Sequence, residues 1–509
     1  MPDIKLFSPL LNMPEHMGLL VIILYTIPIT ILFFYCLTQL NLAIHYLKFK
    51  RSLKEEESNI QFNIPESEYP VVTVQLPVFN ELYVVERLID SIAAFNYPKD
   101  KLQIQVLDDS IDETVDLVAA KVLDWKNKGL DIQQIRRTDR KGFKAGALQE
   151  GLQYAKGEFI CIFDADFIPY PDFLQRTLPY FDDAKIGVVQ TRWEHINKDY
   201  SILTKIQAFA LDLHFTIEQT GRSAAGYFIN FNGTAGIWRK TTINDAGGWM
   251  SDTLTEDLDL SYRAQLKGWK FKYVESIASP AELPTDMNAV KSQQFRWNKG
   301  GAETAKKIGR TVLNSELPLR VKLHAIVHLF NTTNYIFIFF TGLLSVPLLF
   351  VKNIYFEFNY FKYASIFLLG SISIAFAYYI SARQAFETKQ QTWKAFLTRF
   401  PIFLAITMGL SLHNAWAVLR GWTGHKSAFI RTPKFNIMKS NDLWNNKKYI
   451  SRKINPITYL EGLFCIYFIT GIVMAFYYED YGLLPFHILS AFGFGIIFYF
   501  SVKHSRLKS

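Results

Sequence analysis

Cysteine is scarce in this sequence, with three in 509 residues. That is too few for a disulfide framework; Cys36 and Cys465 lie inside apolar runs and Cys161 in a strand-like one. Nothing in that usage asks for an oxidising compartment. Charge is short as well. Charged residues make up 20% of the chain against 50% hydrophobic and 16% aromatic, below the roughly 25% charged share of soluble domains, so part of the chain is predicted to face something other than water. The same composition excludes intrinsic disorder and collagen-like repeats. The Walker spacing is missing, which argues against ATP hydrolysis. A basic stripe with interleaved aromatics is missing too, because the basic residues gather near the ends of apolar runs. The net charge of +9 therefore points to acidic lipid or a phosphorylated ligand, with no nucleic acid.

What the chain does have is long uncharged runs. None of Asp, Glu, Lys or Arg occurs between Glu15 and Lys48, a stretch longer than the roughly 20 residues that span a bilayer. It is too long for a secretory signal and no small-residue cleavage site follows, so residues 1–54 read as a retained transmembrane anchor. Five further uncharged stretches lie between Lys322 and Lys352, Lys362 and Arg383, Arg399 and Arg420, Glu461 and Glu479, and Asp480 and Lys503. Nothing comparable interrupts residues 55–300, which read as one non-membrane domain followed by an interfacial segment over 301–323. Lys48, Lys50, Arg51 and Lys54 place that domain in the cytoplasm, and Lys503, Arg506 and Lys508 place the tail there too. The number of later crossings must then be even. Within a C-terminal region over 324–509, spans are expected near 324–351, 363–382, 457–478 and 482–502. The stretch with Pro401, His413 and Asn414, between Trp393 and Trp416, is expected as an interfacial helix over 393–420, followed by a cytoplasmic loop over 421–455.

Between the anchor and the later runs, short apolar strands alternate with helical patterns. Strands are predicted over 71–76, 103–107, 132–135 and 159–163, and helices over 81–95, 113–126 and 144–155. Strict alternation implies a parallel sheet covered on both faces, whose ligands bind at the carboxyl ends of the strands. Two acidic clusters fall on that edge: Asp108-Asp109-Ser110 and Asp164-Ala165-Asp166, each directly after an apolar strand. Two carboxylates on alternate positions at a strand end supply hard oxygen ligands for Mg²⁺ or Mn²⁺ and leave room for phosphate oxygens. The loop Arg140-Lys141-Gly142-Phe143-Lys144, opening a helix, suits a diphosphate. Further on, Thr255-Glu256-Asp257 starts an amphipathic helix, and Gln293-Gln294-Phe295-Arg296-Trp297 combines an aromatic with donors suited to a sugar ring and its hydroxyls.

The order Asp108-Asp109, Asp164-x-Asp166, Thr255-Glu256-Asp257 and Gln293-x-x-Arg296-Trp297 resembles the D, DxD, TED, QxxRW series of membrane-bound family-2 glycosyltransferases, the group containing bacterial cellulose synthase. Gln190-Thr191-Arg192-Trp193, the run from Phe231 to Gly236, and Gly247-Gly248-Trp249 are similar to plant mannan synthases and xyloglucan-backbone glucan synthases. The likeness covers about residues 70–435. It implies an α/β GT-A fold, Rossmann-like with a mostly parallel sheet, inserted between transmembrane helices. It also implies that Asp108 and Asp109 bind the nucleoside, Asp164 and Asp166 the diphosphate and metal, and Lys144 the phosphates. Asp257 would be the catalytic base, and Glu256, Gln293, Arg296 and Trp297 would form the acceptor end. Phe429-Ile430-Arg431-Thr432-Pro433-Lys434 is similar to the FxVTxK gating loop of cellulose synthase, with Arg431 in place of Val, so that Phe429, Thr432 and Lys434 would belong to a gating loop.

The implied chemistry is a single metal-assisted displacement at a sugar C1, turning an α-linked UDP- or GDP-sugar into a β-linked product. Two acceptors fit the sequence. A growing β-glycan passed into the membrane helices suits a processive synthase, and a lipid suits a single-transfer enzyme resembling ceramide glucosyltransferase. A scaffold that binds nucleotide sugar without turnover would lack some of the acidic residues, and here all are present.

Overall fold

The computed structural model describes residues 15–59, 64–354, 360–427, 430–439, 441–445, 447–450 and 453–506. Phe429, in the predicted gating loop, lies outside the described residues. A long helix, α1 (Glu15–Asn59), leads into alternating elements: β1 (Val72–Val78), α2 (Val85–Ala93), β2 (Leu102–Asp108), α3 (Thr114–Asn127), β3 (Asp131–Ile135), α4 (Phe143–Tyr154) and β4 (Phe159–Ile162). Then come β5 (Ile186–His195), α5 (Ile202–Leu213), β6 (Gly236–Arg239), α6 (Glu256–Leu266) and β7 (Lys270–Ala281). The seven strands form one sheet in the order β3-β2-β1-β4-β6-β5-β7. Only β6 runs against its neighbours: Cys161 of β4 pairs with Ile237, and Val189 of β5 pairs with Ile237 from the other side. The alternation of the first half does not extend past β4, because a single reversed strand stitches β5 and β7 onto the sheet.

The central strands are buried on both faces, which is why they read as continuous apolar runs. On one face, Leu88, Ile89 and Ile92 of α2 and Val118 and Val122 of α3 pack against Val74, Ile104 and Cys161. On the other, Leu148 and Leu152 of α4 and Leu260 and Ala264 of α6 pack against Ile160, Ile162 and Trp238. A polar rung crosses this second face, with Gln75 Nε2 donating to Gln105 Oε1 at 3.0 Å. It explains Gly151 in α4: an added Cβ would stand 2.6 Å from Gln75 Nε2, so a side chain there would push α4 off the sheet.

After β7, α7 (Met287–Asn314) runs unbroken through residue 300, past the boundary suggested by composition, and is followed by α8 (Leu319–Leu329). The remaining long helices are α9 (Asn334–Ile354), α10 (Leu368–Ala385), α11 (Lys389–Trp422), α12 (Pro456–Tyr477) and α13 (Leu484–Ser505). Among the described residues six helices are long and apolar enough to cross a membrane, including α1 and the 34-residue α11. The helix α11 meets elements of the sheet domain from Phe403 to Gly421. Phe403 packs near Phe209 of α5, Ile406 joins Leu203 and Met287, the His413 ring faces the carbonyl of Lys291 at 3.0 Å, and Gly421 lies against the carbonyl of Lys299. A buried ion pair, Lys291 Nζ to Glu461 Oε2 at 2.6 Å, fastens α7 to the start of α12.

Candidate active site

The carboxyl ends of β1, β2 and β4 open on one side of the sheet, and the cavity of about 180 Å³ found there is closed by α6, α7 and the segment around 430–436. Asp109, Lys144, Asp164, Asp166, Glu256, Asp257, Gln293, Arg296, Trp297, Thr432 and Lys434 all line it. Residues from six separate stretches, predicted one by one, thus face a common space.

Asp108 does not. It ends β2 and is buried beneath the cavity, where Oδ1 accepts from the Ser110 N–H at 2.9 Å and Oδ2 from Gln134 Nε2 at 2.8 Å. Successive side chains in extended backbone point to opposite sides, so of the two neighbouring aspartates only Asp109 reaches the ligand edge. Its carboxylate is clamped by Arg137, with Nε donating to Oδ1 at 3.0 Å and Nη2 to Oδ2. Of the two aspartates predicted to bind the nucleoside, the structure brings Asp109 to the cavity and leaves Asp108 out of its lining. Asp108 builds the turn that presents Asp109.

Asp164 and Asp166 follow β4, two residues apart and both in the cavity wall. Each faces a lysine. Lys144 Nζ, from the first turn of α4, donates to Asp164 Oδ1 at 2.5 Å and to the Gly233 carbonyl at 2.9 Å, while Lys434 pairs with Asp166. Burial pulls the Lys144 ammonium down, but Asp164, Glu256 and Asp257 outweigh it and leave the group above its usual value. Among the described residues no three or more His, Cys, Asp or Glu side chains are placed to hold a metal ion by themselves. The donor set fits a divalent cation held by two hard oxygens and completed by phosphate oxygens, and does not fit a closed structural metal site.

Glu256 and Asp257 open α6, and burial raises both carboxyls. Burial, with the neighbouring Glu256 charge added, pushes the Asp257 carboxyl up to about 7, the Lys144 charge opposing. Its Oδ1 accepts from the Leu258 N–H at 2.8 Å. Gly233, in the left-handed region at φ 77°, lies across from it, and an added Cβ would stand 3.1 Å from Asp257 Oδ2. Any other residue would crowd the carboxylate. Arg296, one turn into α7 beyond Gln293, donates from Nη2 to Thr432 Oγ1 at 3.2 Å and so ties the acceptor-end motif to the 430–436 segment.

Composition and motif spacing left several lining residues unnamed. Glu81 sits just past the carboxyl end of β1, where burial pushes its carboxyl up to about 7 against the opposing charge of Arg431, whose Nη1 lies 2.6 Å away. Arg140 stacks 3.2 Å over the Phe79 ring. The strand-end rule reaches both Phe79 and Glu81 once β1 is extended to Val78. Arg431, the departure from the gating-loop pattern, thus has a partner just past β1, and the segment is docked further by Glu282, which accepts the Phe435 N–H at 2.9 Å.

Residues 70–300 match the family model described as glycosyltransferase like family 2. These residues are a family-2 glycosyltransferase domain. The chain is similar to a probable glucomannan 4-beta-mannosyltransferase of Oryza sativa subsp. japonica, 48% identical over 251 residues, which are 48% of this chain and 43% of that protein. It is similar also to a glucomannan 4-beta-mannosyltransferase of Arabidopsis thaliana, 42% identical over 286 residues, covering 55% of this chain and 54% of that one. The chain thus spans about half the length of the curated relatives it matches. Among solved structures, a mannosyltransferase from Pyrobaculum calidifontis, described in complex with GDP-Man and Mn2+, aligns at TM-score 0.49 and 17% identity over 78% of this chain and 100% of that one. The observed sheet, mostly parallel with the DxD pair at the carboxyl end of β4, is the GT-A arrangement expected of the glycosyltransferase domain.

Proposed function

We propose that this protein is an inverting glycosyltransferase that moves a hexose from a UDP- or GDP-sugar onto a glycan acceptor and extends a β-linked glucan or mannan processively. The observation that carries the reading is the convergence of Asp109, Asp164, Asp166, Asp257, Arg296 and Trp297 on one cavity. Identities of 38% to 48% to glucomannan 4-beta-mannosyltransferases support a β-glycan product. The wall carrying Gln293, Arg296 and Trp297 belongs to a helix that packs on α11 and is pinned to α12, which supports delivery of the product towards the membrane helices.

In this reading Asp109 and the β1 end hold the nucleoside, and Lys144 and Lys434 turn to the diphosphate. Asp257 takes the proton of the acceptor hydroxyl as it attacks from the face opposite the leaving group, inverting C1. A carboxyl at about 7 is a far better base than an ordinary aspartate near 3.9 and still substantially ionised at neutral pH. Asp164 and Asp166 would hold Mg²⁺ or Mn²⁺, which supplies charge neutralisation for the departing diphosphate. Arg296 and Trp297 would orient the acceptor sugar.

For the membrane, the reading is an anchor α1 with the glycosyltransferase domain on the cytoplasmic side, four later spans (α9, α10, α12 and α13), and α11 in the interface. Contacts of α11 with the domain at Phe403, His413 and Gly421 alike support the last point, since a spanning helix would carry one end away from it. The test is incubation of the purified protein in lipid nanodiscs with labelled GDP-mannose or UDP-glucose and Mg²⁺ or Mn²⁺, followed by sizing of the product. Polymer is expected. Single transfers to lipid would replace the glycan acceptor with a lipid one, and no transfer from any donor would overturn the reading.

A further inference from the structure

Between α5 and β6 the chain makes a π-helical turn, His214–Gln219, an irregularity that wastes a backbone bond and is frequent at functional sites. Its side chains converge on Asn232, which lines the cavity. Asn232 Oδ1 lies 3.2 Å from His214 Nε2, 3.0 Å from Gln219 Nε2 and 2.8 Å from Asn230 Nδ2. The amide orientations follow from backbone partners. Gln219 Nε2 also donates to the Asn230 carbonyl at 3.0 Å, and Asn230 Nδ2 to the Phe231 carbonyl at 3.2 Å. Both groups are therefore donors, and Asn232 must present its oxygen to them.

The His214 ring then has no choice of tautomer. Nε2 faces that amide oxygen, and Nδ1 faces Glu218 Oε2 at 2.8 Å. Acceptors on both sides require both ring nitrogens to carry protons. The other Glu218 oxygen accepts from Gln39 Nε2 of α1 at 2.7 Å, so the chain of bonds begins on the anchor helix. Burial works to raise the Glu218 carboxyl, but the His214 hydrogen bond and the charges of His214, Arg222 and His328 bring it down to about 2. The titratable and charged groups facing the pair are Arg222 from the next turn, His328 from α8, Tyr35 from α1 and Tyr378 from α10.

One donor is left over. Asn232 Nδ2 is buried and has no hydrogen-bond partner among the described residues. The next residue, Gly233, gives its carbonyl to Lys144 and lies against Asp257, and Thr234 Oγ1 accepts the Asp164 N–H at 2.8 Å. Asn232 thus opens a loop that runs between the diphosphate end and the base end of the cavity, where the sugar being transferred must lie. We infer that His214, doubly protonated between Glu218 and Asn232, is a positioning residue that commits the Asn232 side-chain N–H to an oxygen of the transferred sugar. The inference rests on the glycosyl-transfer reading above and deepens it.

The test uses the full-length protein in nanodiscs. Asn232→Ala and His214→Ala are each expected to lower kcat/KM for the nucleotide sugar about tenfold, with affinity for bare UDP or GDP unchanged. The double variant is expected to be no worse than either single one, because both remove the same contact. His214→Gln, which keeps a donor towards Asn232, is expected to recover part of the loss, and it also serves where His214→Ala does not fold. Additive losses, weakened binding of bare nucleotide, or full activity of Asn232→Ala would overturn the inference. If the wild type transfers no sugar at all, the functional reading fails while this inference is still decided by calorimetry of nucleotide sugar against nucleotide. A gain in affinity from the sugar that disappears in both variants supports it; a gain that survives overturns it.

Discussion

The cavity has two acidic pairs of the same residue class in opposite settings. Asp164 and Asp166 stand at a strand end, each against a lysine. Glu256, buried, and Asp257, half-buried, stand at the start of a helix, adjacent in sequence and repelling one another. The first pair is arranged to meet cations and the second to hold a proton near neutral pH. In the proposed reading the first pair would serve binding and the second proton transfer.

That contrast can be broken at several points. Asp257→Asn is expected to cut kcat by about 10³-fold, in line with loss of a general base, while nucleotide-sugar affinity measured by calorimetry stays close to wild type. Equal turnover would remove the base from Asp257. Asp164→Ala and Asp166→Ala, or chelation of divalent ions, are expected to do the reverse, weakening metal-dependent donor binding on the order of 100-fold. A variant that binds donor normally in titrations with and without Mn²⁺ would separate that residue from the cation.

A pH series sharpens the comparison further. The base acts in its ionised form and burial has raised its carboxyl to about 7, so kcat/KM should climb with pH up to that value and level off above it. About tenfold should be lost on going from the plateau to pH 6. A flat profile between pH 5 and 8, in a buffer series at constant ionic strength, would contradict the buried setting of Asp257. The smallest effect on chemistry is expected at Asp108. Asp108→Ala strips two hydrogen bonds from a buried turn and should cost about 1–3 kcal/mol of stability in a denaturation experiment, with donor affinity reduced far less than in Asp109→Ala.

The difference between Asp108 and Asp109 also marks how far the sequence can be read. Apolar strands running into acidic residues located the ligand edge, because central strands covered on both faces leave a plain signature and ligands gather at their carboxyl ends. A doublet on one strand end cannot both face the ligand, so strand alternation alone separates Asp109 from Asp108. The pairing of Glu81 with Arg431 and the docking of Phe435 on Glu282 join residues hundreds of positions apart, and no local pattern encodes such meetings. The reversed strand β6 was equally hidden. Gly236–Arg239 is a four-residue strand, too short to show a period of its own.

The bond between Lys291 and Glu461 has a mechanical corollary. Both side chains are almost fully sealed from solvent, and breaking such a pair by tilting one helix alone would strand a bare charge at a cost of several kcal/mol. The start of α12 therefore cannot lean without dragging α7, and five residues further along α7 is Arg296. Were α12 to span a bilayer, lipid too thin or too thick for its 22 residues would be relieved by tilt, and the acyl-chain length of the surrounding lipid would become a setting on the place of Arg296 in the cavity wall.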